Sequence, residues 1–350
     1  MNQEVQLIDK SIQPLLDHLN PADFDGKHIF ITGGTGFFGL WLLSTLKALH
    51  EHKANIRATV LSRNPGKFLS KNPQWASAPW LNFIEGDVKT FSISKPRFDY
   101  LIHAATDTSS SAQADAVGIY DDITLGSRHV LSFALQAGIQ RVLLTSSGAV
   151  YGGQPAGKEY LDESDDLICR PIASNSAYGE AKRAMEFLAA AYSHQYGLHT
   201  TIARCFAFVG PGLPLRTHFA IGNFVHDALH EKQISVKGDG RTVRSYLYGA
   251  DLAIWLLKIL VRGKNSAVYN VGSDQYFDMK QLAELVANVL APGKAVSIEG
   301  SSRQDNSTRS IYVPSIALAA KELSLGVWTA LPQAIELMGE YYRVKSSNTQ

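Results

Sequence analysis

The tightest constraint on what this chain can fold into is the octet Thr32-Gly33-Gly34-Thr35-Gly36-Phe37-Phe38-Gly39, set between the apolar run His28-Ile29-Phe30-Ile31 and the amphipathic segment Leu40 to His50. Strand, glycine turn and helix in direct succession open a parallel α/β unit. Glycines at this spacing permit a tight turn, let the backbone approach a pyrophosphate, and seat the helix close to the strand. The helix N-terminus then presents unpaired N–H groups and the positive end of its dipole. The octet predicts a dinucleotide cofactor.

Further apolar runs alternate with helical segments. Asn55 to Leu61, Leu81 to Ile84, Tyr100 to His103, Arg141 to Thr145 and Thr200 to Phe206 read as strands, with helices at 116–137, 177–196 and 221–230. Short apolar strands separated by helices predict a doubly wound parallel sheet of the Rossmann type, covered on both faces. Residues 26–210 form the expected dinucleotide-binding domain. Residues 211–350, with helices at 279–290 and 331–342, form a smaller C-terminal α/β substrate lobe that sends some segments back to the first domain. Residues 1–25 are an N-terminal helical extension with apolar positions Val5, Ile8, Ile12, Leu15, Leu16 and Leu19, placed to pack on the fold or to serve a dimer contact.

Composition excludes more than it selects. A chain of 350 residues with 45% hydrophobic content can bury a large core. The 33 Lys plus Arg nearly cancel 32 Asp plus Glu, leaving a formal charge of +1, so no global field points to nucleic acid or an anionic membrane. Two cysteines, Cys169 and Cys205, are too few for a disulfide framework. The eleven histidines show no metal-ligand spacing, and no metal is expected. No run approaches the roughly 18 apolar residues of a membrane span. The expectation is a soluble, cytoplasmic protein.

A second signature lies far downstream. Tyr178-Gly179-Glu180-Ala181-Lys182 follows Ser146-Ser147-Gly148-Ala149-Val150-Tyr151-Gly152. Residues four apart on a helix project from one face, and an ammonium beside a phenol favours the phenolate, which lowers the pKa of an acid/base tyrosine. With the glycine octet, His103-Ala104-Ala105, and Gly238-Asp239-Gly240 followed by Arg244 and Asp251, these motifs resemble the extended short-chain dehydrogenase/reductases, in the nucleotide-sugar epimerase/dehydratase branch. The resemblance runs from about Lys27 to about Tyr342. It implies that Tyr178 is the acid/base, that Ser147 polarises the reacting oxygen, and that Lys182 binds nicotinamide ribose and tunes Tyr178. It also places Gly33, Gly36, Phe37, Phe38 and Gly39 at the pyrophosphate, Asp87 and Val88 at the adenine, and Ala104, Ala105, Ser146 and Phe206 along the cofactor. On the substrate side it assigns Gly148, Ala149, Ala207, Asn223, Phe224, Arg244 and Arg303. Homodimerisation through helices 116–137 and 177–196 is a further implication, with Met185, Leu188 and Tyr192 as contacts.

Departures from the branch pattern narrow the chemistry. Sugar 4,6-dehydratases resemble one another in an Asp-Glu pair directly after the catalytic hydroxyl residue, and UDP-glucuronate decarboxylases carry Ser-Glu there. This chain has Gly148-Ala149, which cannot exchange a proton. What remains is hydride transfer with a tyrosine acid/base at C4 of a nucleotide-linked hexose, with ketoreduction favoured over epimerisation. At the end of the second strand, where an acidic residue about 20 positions beyond the glycines would mark NAD, stand Ser62-Arg63. Arg can clamp a 2′-phosphate, so NADP is expected ahead of NAD. The alternatives are a 4,6-dehydratase-like enzyme with an atypical site, and a non-catalytic NADP-binding sensor or assembly protein.

Overall fold

A computed structural model describes residues 3–52, 54–107, 109–169, 176–300 and 310–347. The chain begins with α1 (Gln3–Ile12) and two 3-10 turns, Gln13–His18 and Pro21–Asp23. It then enters β1 (His28–Thr32), α2 (Phe37–Glu51), β2 (Arg57–Ser62), α3 (Pro65–Lys71), β3 (Leu81–Glu85), β4 (Tyr100–His103), α4 (Ser110–Ala114), α5 (Ala116–Gln136), β5 (Arg141–Ser147), α6 (Ala177–Tyr196) and β6 (Thr200–Cys205). After β7 (Phe208–Val209) come α7 (Ala220–His230), β8 (Ile234–Val236), β9 (Val243–Ser245), β10 (Leu247–Tyr248), α8 (Gly249–Arg262) and β11 (Ala267–Val271). The last elements are β12 (Tyr276–Asp278), α9 (Met279–Leu290), β13 (Val296–Ile298), β14 (Ile311–Tyr312), α10 (Ala317–Leu323) and α11 (Leu331–Ser347).

Seven strands form one sheet in the order β11-β6-β5-β4-β1-β2-β3, every pair parallel. The doubly wound sheet expected from the alternation is therefore present. Its order reverses between β1 and β4, and a crevice opens beyond the carboxyl ends of strands where winding reverses. Three small sheets, β10-β7, β12-β9-β14 and β13-β8, build the region after β6. β11 and α8 return to the large sheet and its covering layer.

Two apolar cores hold the layers. On one face α5 and α6 close over Phe30, Leu101, Val142 and Leu144. On the other, α8 packs against α2 and against β5, β6 and β11, and the residues Ala250 to Leu257 are all buried. A helix so largely apolar must be covered on most of its circumference, and the N-terminal extension supplies part of that cover. Leu7, Ile8, Ile12, Leu15, Leu16 and Leu19 are buried in this core, each worth about 1.5–3 kcal/mol relative to exposure as an upper bound. Polar ties flank them: Ser11 Oγ lies 2.9 Å from the Tyr248 hydroxyl, Lys47 pairs with Asp9 at 2.7 Å, and Arg262 pairs with Asp23 at 2.6 Å. The helix is shorter than the stretch 5–19, because Pro14 sits in the first turn of the 3-10 segment that follows.

Asp251 is wholly buried at the start of α8 and accepts from the backbone N–H of Trp328 at 2.7 Å and of Thr329 at 3.1 Å. It ties the loop before α11 to the core. Met185 is also fully buried, in the chain's own α5/α6 core, with Leu188 and Tyr192 packed partly buried against it. Met185 is therefore no surface contact, which corrects its assignment to an intersubunit face. The exposed apolar side chains of these two helices are Val117, Tyr120, Leu125, Leu135, Phe187 and Tyr196. Among the described residues no helix is long and apolar enough to cross a membrane.

Candidate active site

The glycine turn sits at the reversal point between β1 and β4. Gly33 has φ +76°, and a Cβ there would lie 2.4 Å from the Ala104 carbonyl oxygen and 2.6 Å from the Ala105 nitrogen. Ala104 N–H in turn donates to the Thr32 carbonyl at 3.1 Å. A Cβ on Gly39 would lie 2.1 Å from the Gly34 carbonyl oxygen, so α2 rests directly on the turn. Gly36, by contrast, is uncrowded, a Cβ there meeting only the Gly33 carbonyl oxygen at 3.6 Å, and it occupies the N-cap of α2 without any side-chain cap. The first-turn amides contributed by Phe37, Phe38 and Gly39 lack intrahelical acceptors by construction. Such a cradle, closed to side chains below and open to an anion above, fits a dinucleotide pyrophosphate. The rings of Phe37 and Phe38 turn away and pack partly buried on the core.

The expected adenosine residues lie nearby. Arg63 is open to solvent, with its side chain 74% exposed, and its guanidinium stands 4.0 Å from the Asp107 carboxylate. Ser62 Oγ accepts from Asn64 N–H at 3.3 Å. The Asp87 carboxylate accepts from the Lys89 backbone at 2.8 Å and so caps its own turn. Val88 packs against α5, where a Cβ on Gly126 would come within 2.9 Å of it.

At the carboxyl end of β5, Ser147 Oγ accepts from Ala149 N–H at 3.1 Å and starts the 3-10 turn Gly148–Tyr151. The first turn of α6 is pressed onto it, since a Cβ on Gly179 would lie 2.5 Å from Cys169 Sγ and 2.7 Å from the Ala149 carbonyl oxygen. That contact delivers Tyr178 and Lys182 to Ser147. Lys182 is buried, its ammonium donating to the Thr145 carbonyl at 2.7 Å and to Thr106 Oγ1 at 2.9 Å. Burial draws it down to about 8, which leaves it charged at neutral pH. Burial pushes the Tyr178 phenol up to about 12, with a hydrogen bond to Ser147 working against the rise. The expectation that Lys182 lowers the phenol is corrected here: its ammonium is anchored on Thr106 and Thr145, 5.9 Å from the Tyr178 ring centre. Desolvation is the largest influence on the phenol.

Beneath lies a rigid polar layer. His103 links Thr32 Oγ1 at 2.8 Å to Ser127 Oγ at 3.2 Å, and burial, reinforced by Lys182, draws its pKa down to about 3. Ser146 Oγ donates to Glu186 at 2.5 Å, so its side chain points beneath the strand end. Glu186 also receives Arg204 in a two-pronged bond at 3.0 and 2.8 Å, and the guanidinium lies 4.6 Å from the Tyr151 ring centre.

On the substrate side, Phe206 packs against Tyr312 with ring centres 4.6 Å apart. Arg244 stands over the same Tyr312 ring at 5.5 Å. Gly148 is crowded by both rings, and Ala207 accepts from Leu247 N–H at 3.0 Å. Asn223 donates to the Thr217 carbonyl at 2.8 Å, while the Phe224 ring belongs to the core. Arg303 lies outside the described residues. Thr106 and Tyr312 escaped the reading of the sequence, because neither stands in a local motif with Ser147 or Tyr178. Among the described residues no group of three or more His, Cys, Asp and Glu is arranged to hold a metal.

Residues 29–272 match the NAD dependent epimerase/dehydratase family. The chain is similar to UDP-glucuronic acid decarboxylase 6 of Arabidopsis thaliana, 26% identical over 324 residues that cover 91% of this chain and 89% of the relative. Among solved structures it resembles the dTDP-glucose 4,6-dehydratase of Streptomyces venezuelae with NAD and TYD bound. There the TM-score is 0.77 and the identity 23%, over 91% of this chain and 98% of that one. The UDP-N-acetylglucosamine 4-epimerase of Methanobrevibacter ruminantium gives a TM-score of 0.79 at 20% identity, over 92% of this chain and all of that one. These two likenesses establish the fold.

The cradle makes a direct prediction. Gly33→Ala places a methyl group against the Ala104 backbone in a left-handed conformation, so it costs more than about 1 kcal/mol of stability and closes the pyrophosphate path. Thermal unfolding and a fluorescence titration with NADH and NADPH check it; unchanged cofactor affinity in this variant contradicts the assigned cradle.

Proposed function

The chain belongs to the NAD dependent epimerase/dehydratase family, and we propose that it is an NADP-preferring oxidoreductase acting at C4 of a nucleotide-linked hexose, as a ketoreductase ahead of a 4-epimerase. The observation that carries this reading is the meeting of Ser147, Tyr178 and Lys182 at the end of β5, in a site where Gly148-Ala149 supplies no second proton-transfer group. The named relatives act on nucleotide sugars, among them dTDP-glucose and UDP-N-acetylglucosamine, which supports the substrate class. Decarboxylation and 4,6-dehydration, the activities of two of them, are set aside because no carboxylate follows Ser147.

When bound, the nicotinamide supplies the hydride. Tyr178 donates its proton to the C4 oxygen as that carbon is reduced, and a phenol held high by burial is protonated throughout the neutral range, ready to act as an acid. Ser147 donates to the same oxygen. Lys182, charged below about 8, places a fixed positive charge under the phenolate that forms, and Thr106 and Thr145 orient it. Arg244 would hold the substrate diphosphate as a planar guanidinium fork. An intact set of three argues against a non-catalytic cofactor sensor, which has no use for an acid/base.

Incubation with UDP-glucose, dTDP-glucose and their 4-keto-6-deoxy derivatives tests the reading. NADPH oxidation with the keto sugars alone is the expected result. Interconversion at C4 without net NADPH loss makes the protein the epimerase, and a 4-keto-6-deoxy product from an unmodified hexose overturns the use made of Gly148-Ala149. Tyr178→Phe removes one hydroxyl and should lose about 10²–10⁴-fold in rate while keeping fold and cofactor affinity.

Arg63 supports the cofactor preference: it is exposed, its only ion pair among the described residues is the long one to Asp107, and it directly follows β2, where the sequence pattern calls for the adenosine-ribose contact. Arg63→Ala should weaken NADPH by about 1.5–3 kcal/mol and leave NADH unchanged. Equal affinity of the wild type for both cofactors would falsify the preference.

A homodimer through α5 and α6 completes the reading, supported by the exposed Val117, Tyr120, Leu125 and Phe187 on two helices already packed together. Light scattering across a wide concentration range should give twice the chain mass, and Val117→Asp with Phe187→Asp should halve it. A monomeric wild type at every concentration removes this element.

A further inference from the structure

The glycine turn lies in a trough whose two walls are fixed by the strand order. β1 runs between β4 and β2, so the segments that leave the carboxyl ends of those two strands flank the turn on either side. On the β4 side Gly33 abuts the backbone of Ala104 and Ala105, and on the β2 side a Cβ on Gly34 would lie 2.8 Å from Val60 Cγ1. Neighbouring strands stand about 4.8 Å apart, which puts the ends of β2 and β4 roughly 10 Å from one another. Arg63 is the first residue after β2, and Asp107 lies four residues beyond the end of β4. The two close the gap with a guanidinium–carboxylate contact of 4.0 Å. The pair therefore spans the carboxyl edge of β1, from which the glycine turn is built.

The two partners are unequally held. The Asp107 carboxylate accepts from Ser109 N–H at 2.9 Å, and that bond, with Arg63 adding to it, keeps the carboxyl below the usual carboxylate range, so it is ionised at neutral pH. The Arg63 side chain is 74% exposed and that of Asp107 46%, and their contact is long. An ion pair of this kind is weak, and a stronger anion can take the guanidinium from it. A phosphate monoester is such an anion: it carries about two charges at neutral pH, against one on a carboxylate, and it engages the planar fork of an arginine through two parallel hydrogen bonds. NADPH has this group on its adenosine ribose and NADH has a hydroxyl there.

We propose that Asp107 is a second specificity residue for the cofactor, holding Arg63 across the glycine turn and competing with a 2′-phosphate for its guanidinium, an inference that rests on the assignment of Arg63 to that phosphate. Binding of NADPH exchanges one ion pair for another. Binding of NADH leaves the Arg63–Asp107 pair intact. The preference for NADPH is then set by the two residues together, and it is smaller than Arg63 alone would give. Because the exchange takes place at an exposed edge, its size falls as salt screens both pairs.

Asp107→Asn removes the charge and keeps a side-chain oxygen for Ser109 N–H. The test is a double-mutant cycle: fluorescence titrations with NADPH and with NADH of the full chain as wild type, Asp107→Asn, Arg63→Ala and the double variant. Asp107→Asn should bind NADPH about two- to fivefold more tightly, the strength of an exposed ion pair, with NADH affinity unchanged. The gain should vanish when Arg63 is already alanine, and it should shrink at high ionic strength. Unchanged or weaker NADPH binding in Asp107→Asn overturns the proposal and leaves the Arg63 assignment standing wherever Arg63→Ala still weakens NADPH. A gain of the same size without Arg63 also overturns it, since Asp107 would then act only by repelling the phosphate. NADPH affinity unchanged in Arg63→Ala overturns the assignment of Arg63 itself, a separate outcome that the Asp107 variant does not prejudge.

Discussion

Everything functional in this molecule depends on one close backbone approach, that of Gly33 to Ala104 and Ala105 where the sheet reverses its winding. No side chain fits between them. The contact brings the ends of β1 and β4 together, leaves the α2 N-terminus open beside Gly36, and directs the segment after β4 toward Thr106, which receives Lys182. The cradle lies between the ends of β1 and β4, while Lys182 is held by Thr106 after β4 and by the Thr145 carbonyl on β5.

The catalytic turn after β5 has its own foundation. Ser146 and Ser147 are neighbours on a strand, so their side chains point to opposite faces. Ser147 Oγ accepts from Ala149 N–H at the start of the turn, while Ser146 reaches down to Glu186, itself clamped by Arg204 against Tyr151. Removing one partner of a buried pair of this kind leaves an uncompensated charge and is strongly destabilising, so the pair resists sliding of α6 along β5 and β6. That stiffness suits the proton transfer proposed for Tyr178, in which small displacements would matter.

Electrostatics at the site follow burial more than pairing. Lys182 and His103 are both drawn down, and Tyr178 and Cys205 are both pushed up to about 12, each mainly by desolvation. The result is a neutral, protonated phenol beside a lysine that is still charged at neutral pH. This suits the proton-donating role proposed for Tyr178, and it corrects an argument from Tyr–Lys spacing alone, which counts the attraction of the ammonium but not the cost of taking the phenol out of water.

What the sequence by itself determined is what short-range geometry controls. The glycine octet required a strand, a turn and a helix; period-2 and period-3.6 patterning marked the parallel strands and their covering helices; the four-residue spacing put Tyr178 and Lys182 on one helical face. Each rests on steric rules acting within a few residues. Tertiary structure decided the rest. It turned Met185 inward, because the apolar face of α6 is needed by the chain's own core; it joined the extension to α8, because a largely apolar helix must be covered; it anchored Lys182 on Thr106; and it brought Tyr312 from β14 against Gly148. Such contacts join segments far apart in the chain, and no local pattern encodes them, since they exist only once the strand order has placed those segments at the same end of the sheet.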